Sequence, residues 1–447
     1  MTKTLIHQAL IINEGRSFVG SVLLEGAMIS RIFEGVVPQE VINSCQVLDA
    51  SGKWLIPGAI DDHVHFREPG LTHKADLFTE TRAALAGGVT SFMEMPNTMP
   101  LTTTVQAWED KMALAASKSL ANYAFYLGAT NDNLSELEKA DYSRVCGVKV
   151  FMGSSTGNML VGQQKALEGI FSTVSAIVGI HAESEAIIQA NKAYYLEALG
   201  GDLPVSYHPL IRSAEACYAS STTAVGLANR FGTRLHILHL TTAKELDLFE
   251  SKPLKEKKIT AEVCVPHLWF DDRDYVRCGN SIKCNPAIKT EQDKLALREG
   301  LKSGKLDVIA TDHAPHLWSE KQGNCLTAAS GSPSIQFSVP LMLELVKDEV
   351  FTKEMVVEKM CHAPAVLYRM DRRGFIREGY FADLALIDPN DTWILTGDLI
   401  LSKCGWSPYE EQVFRSKVQK TWVNGVLVFD EGRFAEGRAA AELRFNP

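Results

Sequence analysis

Eight apolar runs of strand length, separated by helix-like stretches, succeed one another between Leu55 and Thr311. In chain order they are Leu55–Ile60 (running on toward His65), Thr90–Met95, Tyr123–Gly128, Val148–Met152, Val178–Ala182, Leu235–Leu240, Ile259–Val263 and Val308–Thr311. The intervening stretches include Asp76–Gly88, with Gly87-Gly88 as its stop, Ser213–Phe231 and Glu291–Lys302. This alternation predicts an α/β fold, and eight strands with helical connections over about 260 residues fit a (β/α)8 barrel. A doubly wound open sheet shares the alternation, but no G-x-G-x-x-G follows the first strand.

The two ends of the chain read differently. Leu10-Ile11-Ile12, Ser21-Val22-Leu23-Leu24 and Met28-Ile29-Ser30-Arg31-Ile32 are short strands divided by Asn13-Glu14-Gly15 and Glu25-Gly26 turns. Near the other end, Asn424-Gly425 joins Lys420-Thr421-Trp422-Val423 to Val426-Leu427-Val428-Phe429 as a hairpin. Short strands need a partner surface, so both ends are expected to meet in one small β-sandwich domain. The expected division is 1–57 and 374–447 for that domain, with 58–373 forming the barrel.

Composition narrows the function classes. A net charge of −9 disfavours nucleic-acid binding, which needs surplus Lys and Arg. No apolar run approaches the ~20 residues of a membrane span, and the start lacks the apolar stretch of a signal peptide. Nine cysteines, an odd count with no C-x-x-C, fit a reducing, cytoplasmic compartment. The expected partner is a small-molecule substrate, and a homodimer is the base-rate expectation for assembly.

Chemistry concentrates at the ends of the strand candidates. In Asp61-Asp62-His63-Val64-His65-Phe66-Arg67, His63 and His65 share one face of a strand, where two imidazoles suit one metal ion. An isolated H-x-H is more often a pair of satisfied histidines; its company argues otherwise. Lys149 interrupts an apolar strand, His181 and His239 end two others, and Thr311-Asp312-His313-Ala314-Pro315-His316 ends the last. Burying each alone would cost roughly 2–7 kcal/mol, and convergence on metal ions removes that cost. Burial of Lys149 lowers its pKa, and a neutral amine can add carbon dioxide to become an anionic carbamate bridge between two metals. A lysine that snorkels or pairs with a carboxylate is the bland local alternative.

These motifs, with Leu55-Ile56-Pro57-Gly58-Ala59-Ile60-Asp61, Met95-Pro96-Asn97-Thr98, Lys283-Cys284-Asn285-Pro286 and Gly379-Tyr380-Phe381-Ala382-Asp383-Leu384, resemble the amidohydrolase superfamily and, within it, the dihydroorotases. The resemblance covers nearly the whole chain. It implies a cyclic amide hydrolase, reversibly closing N-carbamoyl-L-aspartate to L-dihydroorotate in pyrimidine biosynthesis. It also implies two Zn2+ ions held by His63, His65, carboxylated Lys149, His181, His239 and Asp312. Asp312 would double as catalytic acid and base, while Arg67, Asn97, Asn285 and His316 would bind substrate. Hydantoinases or dihydropyrimidinases, allantoinases, and a non-catalytic scaffold of the same fold are the alternatives. Two departures are Ala287 after Asn285-Pro286, where the family commonly has a second proline, and Glu411 after Glu410, where it has glycine. The 153–158 stretch, Gly-Ser-Ser-Thr-Gly-Asn, lacks a G-K-[ST] ending and is expected to form a mobile rim instead of a phosphate loop.

Overall fold

The computed structural model describes residues 3–153 and 159–446; the expected rim lies, from 154 to 158, outside the described residues. The chain begins with β1 (Lys3–Asn13), β2 (Arg16–Glu25), β3 (Met28–Phe33), β4 (Gln46–Asp49) and β5 (Trp54–Pro57). The barrel follows with β6 (Ala59–Val64), β7 (Val89–Glu94), β8 (Asn122–Phe125), β9 (Leu127–Gly128), β10 (Gly147–Phe151), β11 (Ile177–His181), β12 (Leu235–Ile237), β13 (Ile259–Cys264) and β14 (Val308–Ala310). Beyond it come β15 (Leu384–Asp388), β16 (Trp393–Ile394), β17 (Val413–Phe414), β18 (Lys417–Val423), β19 (Val426–Asp430) and β20 (Arg433–Phe434).

β8 and β9 are two pieces of one barrel strand, interrupted at Tyr126, so the barrel has the eight strands expected. Its neighbours pair in parallel from β6 to β8 and from β9 to β14. The ring closes where the His65 amide donates to the His313 carbonyl at 2.7 Å. Asp61 reinforces this seam, its carboxylate accepting from the Thr311 amide at 3.2 Å and hydroxyl at 2.5 Å. Helices begin where the sequence supplies caps: Asp76 before Leu77–Ala86, Ser213 before Ala214–Phe231 and Thr290 before Glu291–Lys302. No helix among the described residues is long and apolar enough to cross a membrane.

Strands from both ends join in a nine-stranded sheet ordered β20-β19-β18-β15-β5-β1-β2-β3, with β4 on β1. The halves meet where β5 pairs antiparallel with β15, Leu55 opposite Leu386. The first strand candidate is therefore two strands with different duties: Trp54–Pro57 belongs to this sheet and Ala59–Val64 to the barrel. Gly58 is the hinge between them, and a Cβ there would lie 2.1 Å from Thr90 Oγ1. The final described residues return to the barrel, where the Leu443 amide donates to the Tyr123 carbonyl at 2.9 Å and Phe445 is buried beside Met370.

Candidate metal centre and substrate pocket

The predicted ligands gather at the C-terminal mouth of the barrel. His63 and His65 point their Nε2 atoms at one oxygen of Asp312, at 3.3 and 3.1 Å. His181 Nδ1 and His239 Nε2 lie 2.9 Å apart, and the His63 and His239 rings are 5.2 Å apart between centroids. Lys149, fully buried on β10, sets its Nζ 4.7 Å from the centre of the Phe151 ring, which lies 6.0 Å from the His181 ring.

Backbone geometry accounts for part of this convergence. Arg67, His239 and Asp312 all sit in the left-handed region, at φ 69°, 41° and 49°, each just past the end of its barrel strand. Non-glycine residues are uncommon there and gather at functional sites. Arg67 lies three residues beyond the end of β6 at Val64, and its left-handed turn carries the side chain to the pocket.

The electrostatics favour metal ligation. Burial pushes His65 down to about 4 and lowers His181 and His239 as well, keeping the imidazoles neutral as ligation requires. Burial would raise Asp312, but His63 and His65 beside it pull it down to about 2. Burial lowers Lys149 to about 8 against the pull of Asp312 and Glu262.

Orphaned atoms test the fit. Among the described residues, buried Lys149 Nζ and His239 Nδ1 have no hydrogen-bond partner. Ligand atoms of His63, His65 and Asp312 lie within 4.8 Å of one another. A buried amine with no partner among the described residues and a cluster of imidazoles around a carboxylate are a poor arrangement for a bare protein and a suitable one for divalent cations. The residues present fit the metal centre.

Two buried carboxylates not singled out in the sequence hold these ligands, and a third braces the mouth beside them. Glu262 Oε1 accepts from His63 Nδ1 at 2.6 Å and from the His239 amide at 2.9 Å. Glu183 Oε2 lies 2.9 Å from His181 Nε2 and is also paired with Arg212. Glu80 reaches His313 Nε2 at 2.8 Å and accepts from the Ser402 hydroxyl at 2.7 Å, tying the mouth to the C-terminal segment. The available signal for Glu262 was a lone carboxylate inside the apolar β13, the same anomaly that drew attention to Lys149.

A pocket beside the centre is lined by His65, Arg67, Asn97, Asn285 and Asp312, with Ala314, Ser330 and Gly331. Arg67 is buried; Nε donates to the Pro315 carbonyl at 3.0 Å and Nη2 lies 3.0 Å from His316 Nε2. Asn97 Oδ1 lies 2.8 Å from His65 Nδ1, and Asn285 Oδ1 lies 3.0 Å from His208 Nε2. His316 stands behind Arg67, between it and Lys74 Nζ at 3.2 Å.

The chain is similar to known proteins along most of its length. A model of the amidohydrolase family matches residues 54–428. A dihydroorotase of Methanosarcina acetivorans is 32% identical over 93% of this chain and 91% of its own length. One from Lactobacillus johnsonii is 30% identical over 96% and 99%, respectively. Among solved structures, an L-hydantoinase (dihydropyrimidinase) of Arthrobacter aurescens superimposes with a TM-score of 0.93, covering 99% of this chain and 100% of its own, at 24% identity, a likeness of fold. The family match takes in the barrel and the strands that join it to the flanking sheet, and with such relatives along almost its whole length the chain belongs to the amidohydrolase family.

Proposed function

We propose that the chain is a dihydroorotase, opening the ring of L-dihydroorotate with water to give N-carbamoyl-L-aspartate and catalysing the reverse closure. The observation that carries this reading is Arg67, a buried guanidinium in the wall of a pocket shared with His65 and Asp312. Two of its nitrogens are spent on Pro315 and His316, and Nη1 has no protein partner among the described residues. A fixed fork with a donor to spare suits a substrate carboxylate, which dihydroorotate carries and a simple hydantoin lacks. The curated dihydroorotases similar along the chain support the same substrate class.

His63, His65 and Asp312 would hold one zinc ion, and His181 and His239 a second, with Lys149 bridging them as a carbamate. Such a pair polarises an amide carbonyl and lowers the pKa of water toward ~7. The chain supplies the rest. Arg67 grips the carboxylate, with His316 holding its guanidinium in place. Asn285 and Asn97 line the same wall, and Asn97 also orients the His65 ring. Asp312 moves the proton: its carboxylate accepts one from the attacking water and returns it to the ring nitrogen as the carbon–nitrogen bond breaks. Fixing substrate and carboxylate together removes orientational entropy from the barrier.

Incubation of zinc-loaded protein with N-carbamoyl-L-aspartate, followed by chromatography, tests the reading. Metal-dependent formation of dihydroorotate is expected; its absence under conditions where the protein is folded and metal-loaded would refute it.

A further inference from the structure

The opposite end of the barrel holds a second cavity, of about 360 Å³, within the size range of ligand pockets. Ile177 and Leu235, the first residues of β11 and β12, line it, so it opens at the N-terminal rim, away from the metal ligands at the strand C-termini. Seven of its lining residues are Lys or Arg and none is Asp or Glu, in a chain whose net charge is −9.

Three of these cations are neutralised from outside the cavity. Lys257 pairs with Asp307 at 2.7 Å, Arg373 with Asp383, and Arg377 with Glu14. The other four, Arg234, Lys255, Lys258 and Arg369, have no carboxylate side chain within ion-pair reach among the described residues. Arg234 donates only to the Leu367 carbonyl, at 2.5 Å, and Lys258 reaches only the Gly232 carbonyl, at 3.5 Å. Burial and the facing Arg369 both disfavour the charged form of Arg234. Like charges held together in a concavity repel, and an anion among them relieves that repulsion. Leu235, Leu367 and Met370 give the cavity a buried apolar wall, and Phe375 adds an aromatic face.

We propose that this cavity binds a phosphorylated small molecule, its phosphate among Arg234, Lys255, Lys258 and Arg369 and its apolar body against Leu235, Leu367 and Phe375. Two guanidinium forks and two ammonium groups match the several oxygens and multiple charge of phosphate better than a single carboxylate. A recess with an apolar wall favours a compact ligand over an extended acidic chain.

Titration calorimetry on the metal-loaded full chain, with inorganic pyrophosphate and with ATP at low and raised salt, tests this. Both probes should bind, more weakly at raised salt. The exposed pair Arg369→Glu and Lys255→Glu together should weaken both by roughly ten-fold or more, with the turnover of the other mouth unchanged. Binding that is equally tight to wild type and double variant, as capture by the active-site metals would give, overturns the proposal. So does failure of both probes to bind, or binding of a hexaglutamate peptide where both probes fail.

Discussion

His63 Nδ1 and Glu262 Oε1 stand 2.6 Å apart, with both side chains sealed from solvent. That contact leaves His63 Nε2 facing Asp312, the orientation a metal ligand needs. Glu262 also fixes the His239 amide, so one carboxylate aligns ligands from two strands. Replacing Glu262 with Gln removes the charge while keeping the shape. Metal affinity, measured by competition with a chelator, should fall about 10- to 100-fold, the usual effect of losing such a support. Unchanged affinity would show that Glu262 serves packing alone.

Asp312→Asn should retain the fold and lower kcat by roughly 10²–10⁴-fold, the range for loss of a positioned proton carrier. Circular dichroism and metal analysis, run beside steady-state kinetics, separate this from collapse of the site. Near-native kcat would remove Asp312 from the proton path.

Lys149→Ala should lose the bridge without losing the fold, since the lysine amine has no hydrogen-bond partner among the described residues. Protein reconstituted with zinc in 13C-bicarbonate should give a carbamate signal by 13C NMR in the wild type and none in the variant. A wild type that loads two metals with no such signal would exclude the carbamate.

Arg67→Met should weaken productive binding by about 1.5–3 kcal/mol, the worth of a charged hydrogen bond, read as a fall in kcat/KM for dihydroorotate. An uncharged ring substrate, if turned over at all, should not share the loss. An equal loss on both would assign Arg67 to structure, through Pro315 and His316, and not to the carboxylate.

Much of this was legible in the sequence because the barrel's strands are buried on both faces and read as apolar runs, against which Lys149, His181 and Asp312 stand out. The pairing of the two chain ends was legible for a related reason: short strands at each end lacked partners nearby. Local periodicity failed where the backbone leaves its strand. Arg67 and His239 reach the site through left-handed turns that no alternation rule anticipates. It failed again at Gly58, where one apolar run serves two sheets. Glu262 and Glu80 were not legible because their partners His63 and Ser402 lie 199 and 322 residues away; Glu183 stands two residues from His181, but its pairing with Arg212 spans 29. The cations of the second cavity likewise come from three separate segments, around 234, 255–258 and 369–377, and only the fold brings them together.

The most direct measurement is kcat/KM of the zinc-loaded protein for L-dihydroorotate, set beside hydantoin, dihydrouracil and allantoin in one assay. Arg67 in the pocket wall predicts preference for the carboxylate-bearing ring by at least ~10²-fold. Faster turnover of any uncharged ring than of dihydroorotate would contradict it.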